Sequence, residues 1–207
     1  MSLRERNRVR TRELIVETAL ELFLRKGFDD TTVAEIGEAC GISPRTFFRY
    51  FPTKEDVLFP DAAERNWAVV ELLRRQLEEL PPVDALWATL RAAALESYGE
   101  NRRRVLARYR LLGTSTSLRA FMAEDRLARH DAVLATMREC ADLKASDLSE
   151  LELRMLTQLS TATVHAAVYL WLDEEAARDL GKLIDEAFGR LAKGLDDFRR
   201  PVEGVGG

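Results

Sequence analysis

Between Ser43 and Lys54 the chain reads SPRTFFRYFPTK, which places Arg45, Thr46, Phe47, Arg49, Tyr50 and Lys54 close together. These residue types recognise nucleic acid. An arginine donates two parallel hydrogen bonds to guanine O6 and N7, and a threonine methyl meets a thymine methyl. Tyrosine hydroxyls and lysine ammonium groups reach phosphate. Ser43 caps a helix and Pro44 is suited to its first position, with φ already set. The first turn of that helix therefore offers Arg45 and Thr46 to base edges, and Tyr50 follows Thr46 one turn later on the same face. Arg49 is read toward solvent or the opposite strand's backbone. Phe47 is read as core, as a base-methyl contact or as both, and Phe51 as core. Lys54, the Thr32 hydroxyl and the helix N-termini at Thr32 and Ser43 are placed for phosphate on either side.

Catalytic chemistry finds no comparable constellation. His130 and His165 fall on different predicted helices, and no nucleophile–base pair, glycine-rich phosphate loop or metal-ligand spacing occurs. No cofactor or metal is expected, and the reading is not an enzyme. Cys40 and Cys140 stand a hundred residues apart and read as reduced thiols of a cytoplasmic protein. No apolar run approaches the roughly 20 residues of a membrane span, and the charged N-terminus MSLRERNRVRTRE lacks the apolar stretch of a signal peptide.

The elements that must position this run are helices. The 207 residues show no strand-like alternation and no repeat. Leu14, Ile15, Ala19, Leu22 and Phe23 predict a first helix over about 11–26, ended by Gly27. Thr32 with Glu35 forms a capping box for a second helix carrying Val33, Ile36 and Ala39. Gly41 turns the chain into the third, which Pro52 stops. Thr53 and Asp56 predict the start of a long helix reaching about Glu79 and adjusted near Pro60, with Pro81-Pro82 closing it. Further helices are expected over 85–98, 102–112, 118–140, 150–172 and 174–198. Turns lie at 113–117 and a polar loop at 142–149. The fold class is all-α with about nine helices: a three-helix helix-turn-helix domain at 1–54, a helical body at 55–200, and a disordered tail at 201–207.

Net charge is −4, but it is unevenly spread. Residues 1–54 hold ten Lys and Arg against eight Asp and Glu, and the remainder holds 21 against 27. Arg4, Arg6, Arg8, Arg10 and Arg12 form a basic N-terminal arm on an acidic body, the electrostatic outline of a site-specific DNA binder.

The run from Thr11 to Leu58 resembles the N-terminal domain of TetR-family transcriptional regulators. The matching pieces are Ile15, Ala19, Phe23 and Gly27-Phe28, then Thr31-Thr32-Val33, Ile36-Gly37, Gly41-Ile42-Ser43 and Thr46 through Lys54. The resemblance implies a homodimeric, all-helical repressor whose C-terminal domain binds a small molecule. Two positions depart from the family pattern. Phe48 stands where the family usually has a phosphate-touching Tyr, and Tyr50 where it often has a His. Phe48 cannot donate that hydrogen bond.

Residues 45–58, with Leu118-Arg119-Ala120 and Ala167 to Trp171, also resemble the mycofactocin-type repressors, which implies an acyl-CoA or similar long apolar effector. Ligand pockets are largely apolar with a few placed polar groups. Trp67, Trp87, Tyr98, Tyr109, Phe121, His165 and Tyr169 are the candidate lining; each also reads as ordinary core. Arg119 or Arg102-Arg103-Arg104 could meet a charged head group. Leu156, Leu159, Thr163, Ala166 and Leu170, with Leu180, Ile184, Ala187 and Leu191, are expected to pair with a second copy. The function so read is a ligand-responsive homodimeric repressor of a palindromic operator, released by a small apolar effector. The alternative is a ligand-independent architectural DNA-binding protein.

Overall fold

The computed structural model describes residues 2–60, 62–99, 101–143 and 148–197. Among them are nine α-helices and no strand. They are α1 (Leu3–Lys26), α2 (Val33–Cys40), α3 (Pro44–Tyr50), α4 (Ala62–Glu79), α5 (Pro82–Gly99), α6 (Arg102–Thr114), α7 (Thr116–Leu143), α8 (Glu150–Asp173) and α9 (Leu180–Asp197), with a short 3-10 turn at Glu55–Val57. No described helix is long and apolar enough to cross a membrane. The tail expected at 201–207 lies outside the described residues.

The chain forms two compact units, and neither is one continuous segment. The first takes residues up to Asn66 together with Arg103–Ala128; the second takes Trp67–Arg102 and the rest from Arg129. In the first, Ile15, Ala19 and Phe23 of α1, Ile36 of α2, Phe47 and Phe51 share one core with Ala107, Leu111 and Leu118 of α6 and α7. In the second, α8 packs on α9 and α5. Its core includes Leu86, Leu90, Leu153, Val164, Val168, Leu172, Leu183, Ile184 and Phe188.

Several expectations need correcting. The arm carrying Arg4 to Arg12 is helical from Leu3, because Ser2 and Glu5 close a capping box at its start. The long helix expected from Thr53 is broken: Asp56 Oδ2 accepts from the Thr53 backbone N–H and hydroxyl, both at 2.7 Å, and only a 3-10 turn forms before α4 begins at Ala62. Pro60 has no N–H to continue a helix. The 113–117 turn contracts to Ser115, between α6 and α7. The last helix starts at Leu180 rather than near Glu174. Glu175 and Ala176 take positive φ, 51° and 59°, while Trp171 Nε1 donates to the Arg178 carbonyl at 2.9 Å and holds the loop against α8. Asp179 Oδ1 then accepts from the Lys182 amide at 2.8 Å, opening α9.

Candidate nucleic-acid interface

Each helix of the reading motif starts from its own cap. Thr32 Oγ1 accepts from the Glu35 amide at 3.2 Å, and Glu35 Oε2 accepts from the Thr32 amide at 2.9 Å. Ser43 Oγ accepts from the Thr46 amide at 3.2 Å, with Pro44 at the first helical position. Between them Gly41 adopts φ +67°, a left-handed conformation that costs other residues roughly 1–2 kcal/mol. Gly37 allows the close approach of α2 to the turn, since a Cβ there would sit 2.7 Å from the Ile42 carbonyl oxygen.

On α3 the buried side is Phe47, which has no exposed surface, continued by Phe51 at the helix end. The opposite side carries Arg45, Phe48 and Arg49, all exposed, with half-buried Thr46 and Tyr50 at its margins. The spacing 45, 48, 49 puts those three on one helical face. The Arg49 guanidinium lies 5.4 Å from the Tyr50 ring centre, and Thr46 Oγ1 is 3.0 Å from Ser43 Oγ. In this arrangement two guanidinium groups and an apolar ring point outward from one short helix, a surface suited to base edges and phosphates.

Three of the sequence-derived site residues have their side chains engaged within the fold. Phe47 is core and has no surface to offer a base. The Thr32 hydroxyl is engaged in its own cap, 3.0 Å from Glu35 Oε2. Lys54 Nζ donates to the carbonyl oxygens of Phe28 at 2.7 Å and Thr31 at 2.9 Å, leaving at most one of its three donors for phosphate. Conversely, Phe48 joins the outward face although the sequence reading assigns it no contact; 45, 48 and 49 share a face on a helical wheel.

The electrostatics around the α2 cap are dominated by Glu35. Lys26 first, then the Thr32 amide and hydroxyl, hold its carboxyl at about 2. Along α1, Arg4, Arg8 and Arg12 recur every fourth residue on one face, and Arg12 lies over the Phe51 ring at 5.1 Å.

The residues proposed for an effector fall in both units. Tyr109 and Phe121 belong to the first unit, where Phe121 stacks on Phe59 at 6.0 Å. The others lie in the second. Trp87 stacks on Phe188 at 4.5 Å and donates from Nε1 to the buried Ser160 hydroxyl at 3.0 Å. Tyr98 meets the Trp171 ring edge-on at 6.5 Å, and His165 lies 6.4 Å from Tyr169. Trp67, expected to face inward, is 67% exposed because the inward row of α4 is Val69, Leu73 and Leu77. Arg102 is committed to the α8–α9 loop, donating from Nε to the Glu175 carbonyl at 3.0 Å.

Two family models match the chain: the bacterial regulatory proteins of the tetR family over residues 15–59, and the MftR C-terminal domain over residues 80–196, more than half its length. The chain belongs to the TetR family. Its second unit falls largely within the MftR-type domain. The chain is 27% identical to MftR of Mycobacterium tuberculosis over 192 residues, covering 92% of this chain and 94% of MftR. It is 39% identical over 90 residues to the transcriptional regulator TcmR of Streptomyces glaucescens, a match spanning 40% of TcmR and 44% of this chain. Among solved structures it resembles the TetR-family repressor FadR of Thermus thermophilus in complex with lauroyl-CoA, at a TM-score of 0.60 and 26% identity, covering 95% of this chain and all of that one. The named relatives of this TetR-family member are helix-turn-helix transcriptional regulators.

Proposed function

We propose that this regulator is a homodimeric repressor in which residues 1–54 read one half-site of a palindromic operator and residues 55–200 bind an effector and pair the two copies. The observation that carries the reading is the outward face of α3, where Arg45, Phe48 and Arg49 are exposed while Phe47 anchors the helix from behind. Arg45, near the helix N-terminus, is assigned to a base edge; Arg49, Tyr50 and the last donor of Lys54 are assigned to phosphate. Two-fold pairing would set the recognition helices about one DNA turn apart, roughly 34–36 Å.

The effector assigned is a small apolar acyl-CoA-like molecule. Support comes from the likeness to a repressor solved with lauroyl-CoA and from the aromatic side chains Trp87, Tyr98, His165 and Tyr169 on α5 and α8. A ligand that binds one conformer better than the other shifts the population and so changes operator affinity.

The test is fluorescence anisotropy on DNA from upstream of the protein's own gene, beside a scrambled duplex, with and without lauroyl-CoA. Specific binding weakened by lauroyl-CoA is expected. Specific binding without a response removes the ligand class and keeps the repressor. Equal binding to both duplexes would replace this reading with the architectural one.

A further inference from the structure

The loop joining α1 to α2 is already closed by its own hydrogen bonds. The Gly27 amide donates to the Phe23 carbonyl at 2.9 Å, and the buried Thr31 donates from Oγ1 to the Gly27 carbonyl at 2.7 Å. Three side chains distant in sequence nevertheless grip it. From one side Lys54, just past the recognition helix, donates to the Phe28 and Thr31 carbonyls and stands 4.2 Å from the centre of the Phe28 ring. From the α6–α7 junction, Ser115 Oγ and Ser117 Oγ both donate to Asp29 Oδ1, at 2.9 and 2.8 Å. Ser115 is 1% exposed, and its oxygen also accepts from the Leu118 amide at 3.2 Å, so the same hydroxyl starts α7 and holds the loop.

The Asp29 carboxyl lies below its ordinary range, held there first by the Ser117 hydroxyl and then by Ser115, with Lys54 and Arg119 adding favourable charge. It is therefore an ionised acceptor, and hydrogen bonds to an ionised acceptor are roughly twice as strong as neutral ones. Further along α6, Arg104 donates from Nε to Glu17 at 2.6 Å and from Nη2 to Glu13 at 2.7 Å, both on α1. The α6 helix is thus fastened to α1 near its start and, through the residues that follow it, to the α1–α2 loop.

We infer that Asp29, Ser115 and Ser117 are positioning residues for DNA recognition: they tie the α6–α7 junction to the loop that feeds α2, and through Lys54 to the end of α3. The inference rests on the DNA-binding reading above. What the grip does is make the pose of α2 and α3 depend on where α6 and α7 sit, so a movement of either is felt at the reading helix without any of the three touching DNA.

The test uses the full chain and a palindromic duplex recovered by in vitro selection with the wild-type protein. Operator affinity is measured by anisotropy over a range of salt, and thermal melting is followed beside it. Asp29→Asn is expected to bind about tenfold more weakly, a factor worth 1.4 kcal/mol. Ser117→Ala, which leaves the α7 cap on Ser115 intact, should bind about threefold more weakly, and Ser117→Thr should restore binding by keeping the hydroxyl. The slope of log affinity against log salt should not change, since each lost phosphate contact lowers it by about 0.9 and none is lost here. Variants that bind within the error of wild type overturn the inference. So does a reduced slope, which would place these residues on the DNA. If selection yields no duplex bound above a scrambled one, the DNA reading falls and the inference falls with it. Should Asp29→Asn fail to fold, the Ser117 pair alone decides.

Discussion

Phe47 and Phe48 meet edge to face, with ring centres 5.5 Å apart and planes at 87°, yet Phe47 is fully buried and Phe48 is 51% exposed. One residue fastens the recognition helix to the core of its unit and the next presents an apolar ring outward. Substitutions at these neighbours should therefore fail differently. Phe47→Ala should cost about 3–5 kcal/mol of stability through the cavity it leaves. Phe48→Ala should stay within about 0.5 kcal/mol of wild type in chemical denaturation while weakening operator binding. Phe48→Tyr adds a hydroxyl donor on the exposed face of α3, where the family usually has a Tyr, and should tighten binding about fivefold, one net hydrogen bond being worth about 1 kcal/mol. Unchanged affinity in Phe48→Tyr would place this ring away from the phosphates.

Arg45 and Arg49 lie one turn apart on the exposed face of α3, and their assigned roles separate in a salt titration. Arg45→Ala should lose roughly 1–3 kcal/mol of affinity on the operator and relax preference at a single base position. Arg49→Ala should weaken binding nearly uniformly across sequences and reduce the salt slope by about 1. The assignments are reversed if Arg49→Ala is the variant that changes base preference.

Glu35 gives the motif a defined acid limit. Its carboxyl is held at about 2, against an ordinary 4.5, by Lys26 and the Thr32 cap. A depressed carboxyl contributes stability that is fully present above the unfolded value and is lost as pH falls through the folded one. The contribution should thus be complete above pH 4.5 and decay toward pH 2. Carbon-detected NMR titration of Glu35 reads this directly, and a midpoint near 4.5 would show that neither Lys26 nor the cap depresses it. Glu35→Gln should flatten the stability profile across the same window.

Much of this architecture is legible from short-range chemistry. The Thr32–Glu35 box, the Ser43-Pro44 start and the Gly41 turn are local devices, and each sits where its residues put it. The misreadings at 174–179 and at Lys54 are tertiary. The loop at 174–179 contains no glycine, asparagine or proline, and its positive φ values are held in place by Trp171 and Arg102 from elsewhere in the unit. Lys54 reads from sequence as a phosphate ligand because its charge is visible, whereas the two carbonyls that take its donors are 23 and 26 residues away. Asp29, Ser115 and Ser117 are ordinary surface types in sequence, and only folding brings them together. The helical arm of arginines starts at Ser2 and Glu5, whose spacing is that of a capping box, a local signal the reading of a helix from Thr11 leaves unused.

The α8 and α9 helices carry different apolar rows, and the difference decides how two copies would pair. On α9, Leu180 and Ile184 are 6% and 0% exposed, so these two expected pairing residues are already used within the chain. Ala187 and Leu191 are half-buried beside them. On α8 the inward row is Leu153, Thr157, Ser160, Val164 and Ala167. Leu156, Leu159 and Thr163 lie half-buried on its flank, and Ala166 is exposed. Leu151, Met155, Tyr169 and Leu170 stay 66%, 48%, 40% and 44% exposed. An apolar stripe left open along one helix is the kind of surface that a self-complementary two-fold contact covers. Met155→Glu with Leu170→Glu should keep the fold, because both positions are exposed, and should shift sedimentation from twice 23.5 kDa to 23.5 kDa. Ile184→Ala should instead cost about 2–5 kcal/mol of stability, as a core truncation does. Loss of the dimer should weaken palindrome binding far more than binding to a single half-site, since linked half-sites gain by effective concentration. A wild-type chain sedimenting at 23.5 kDa at micromolar concentration would remove the pairing altogether.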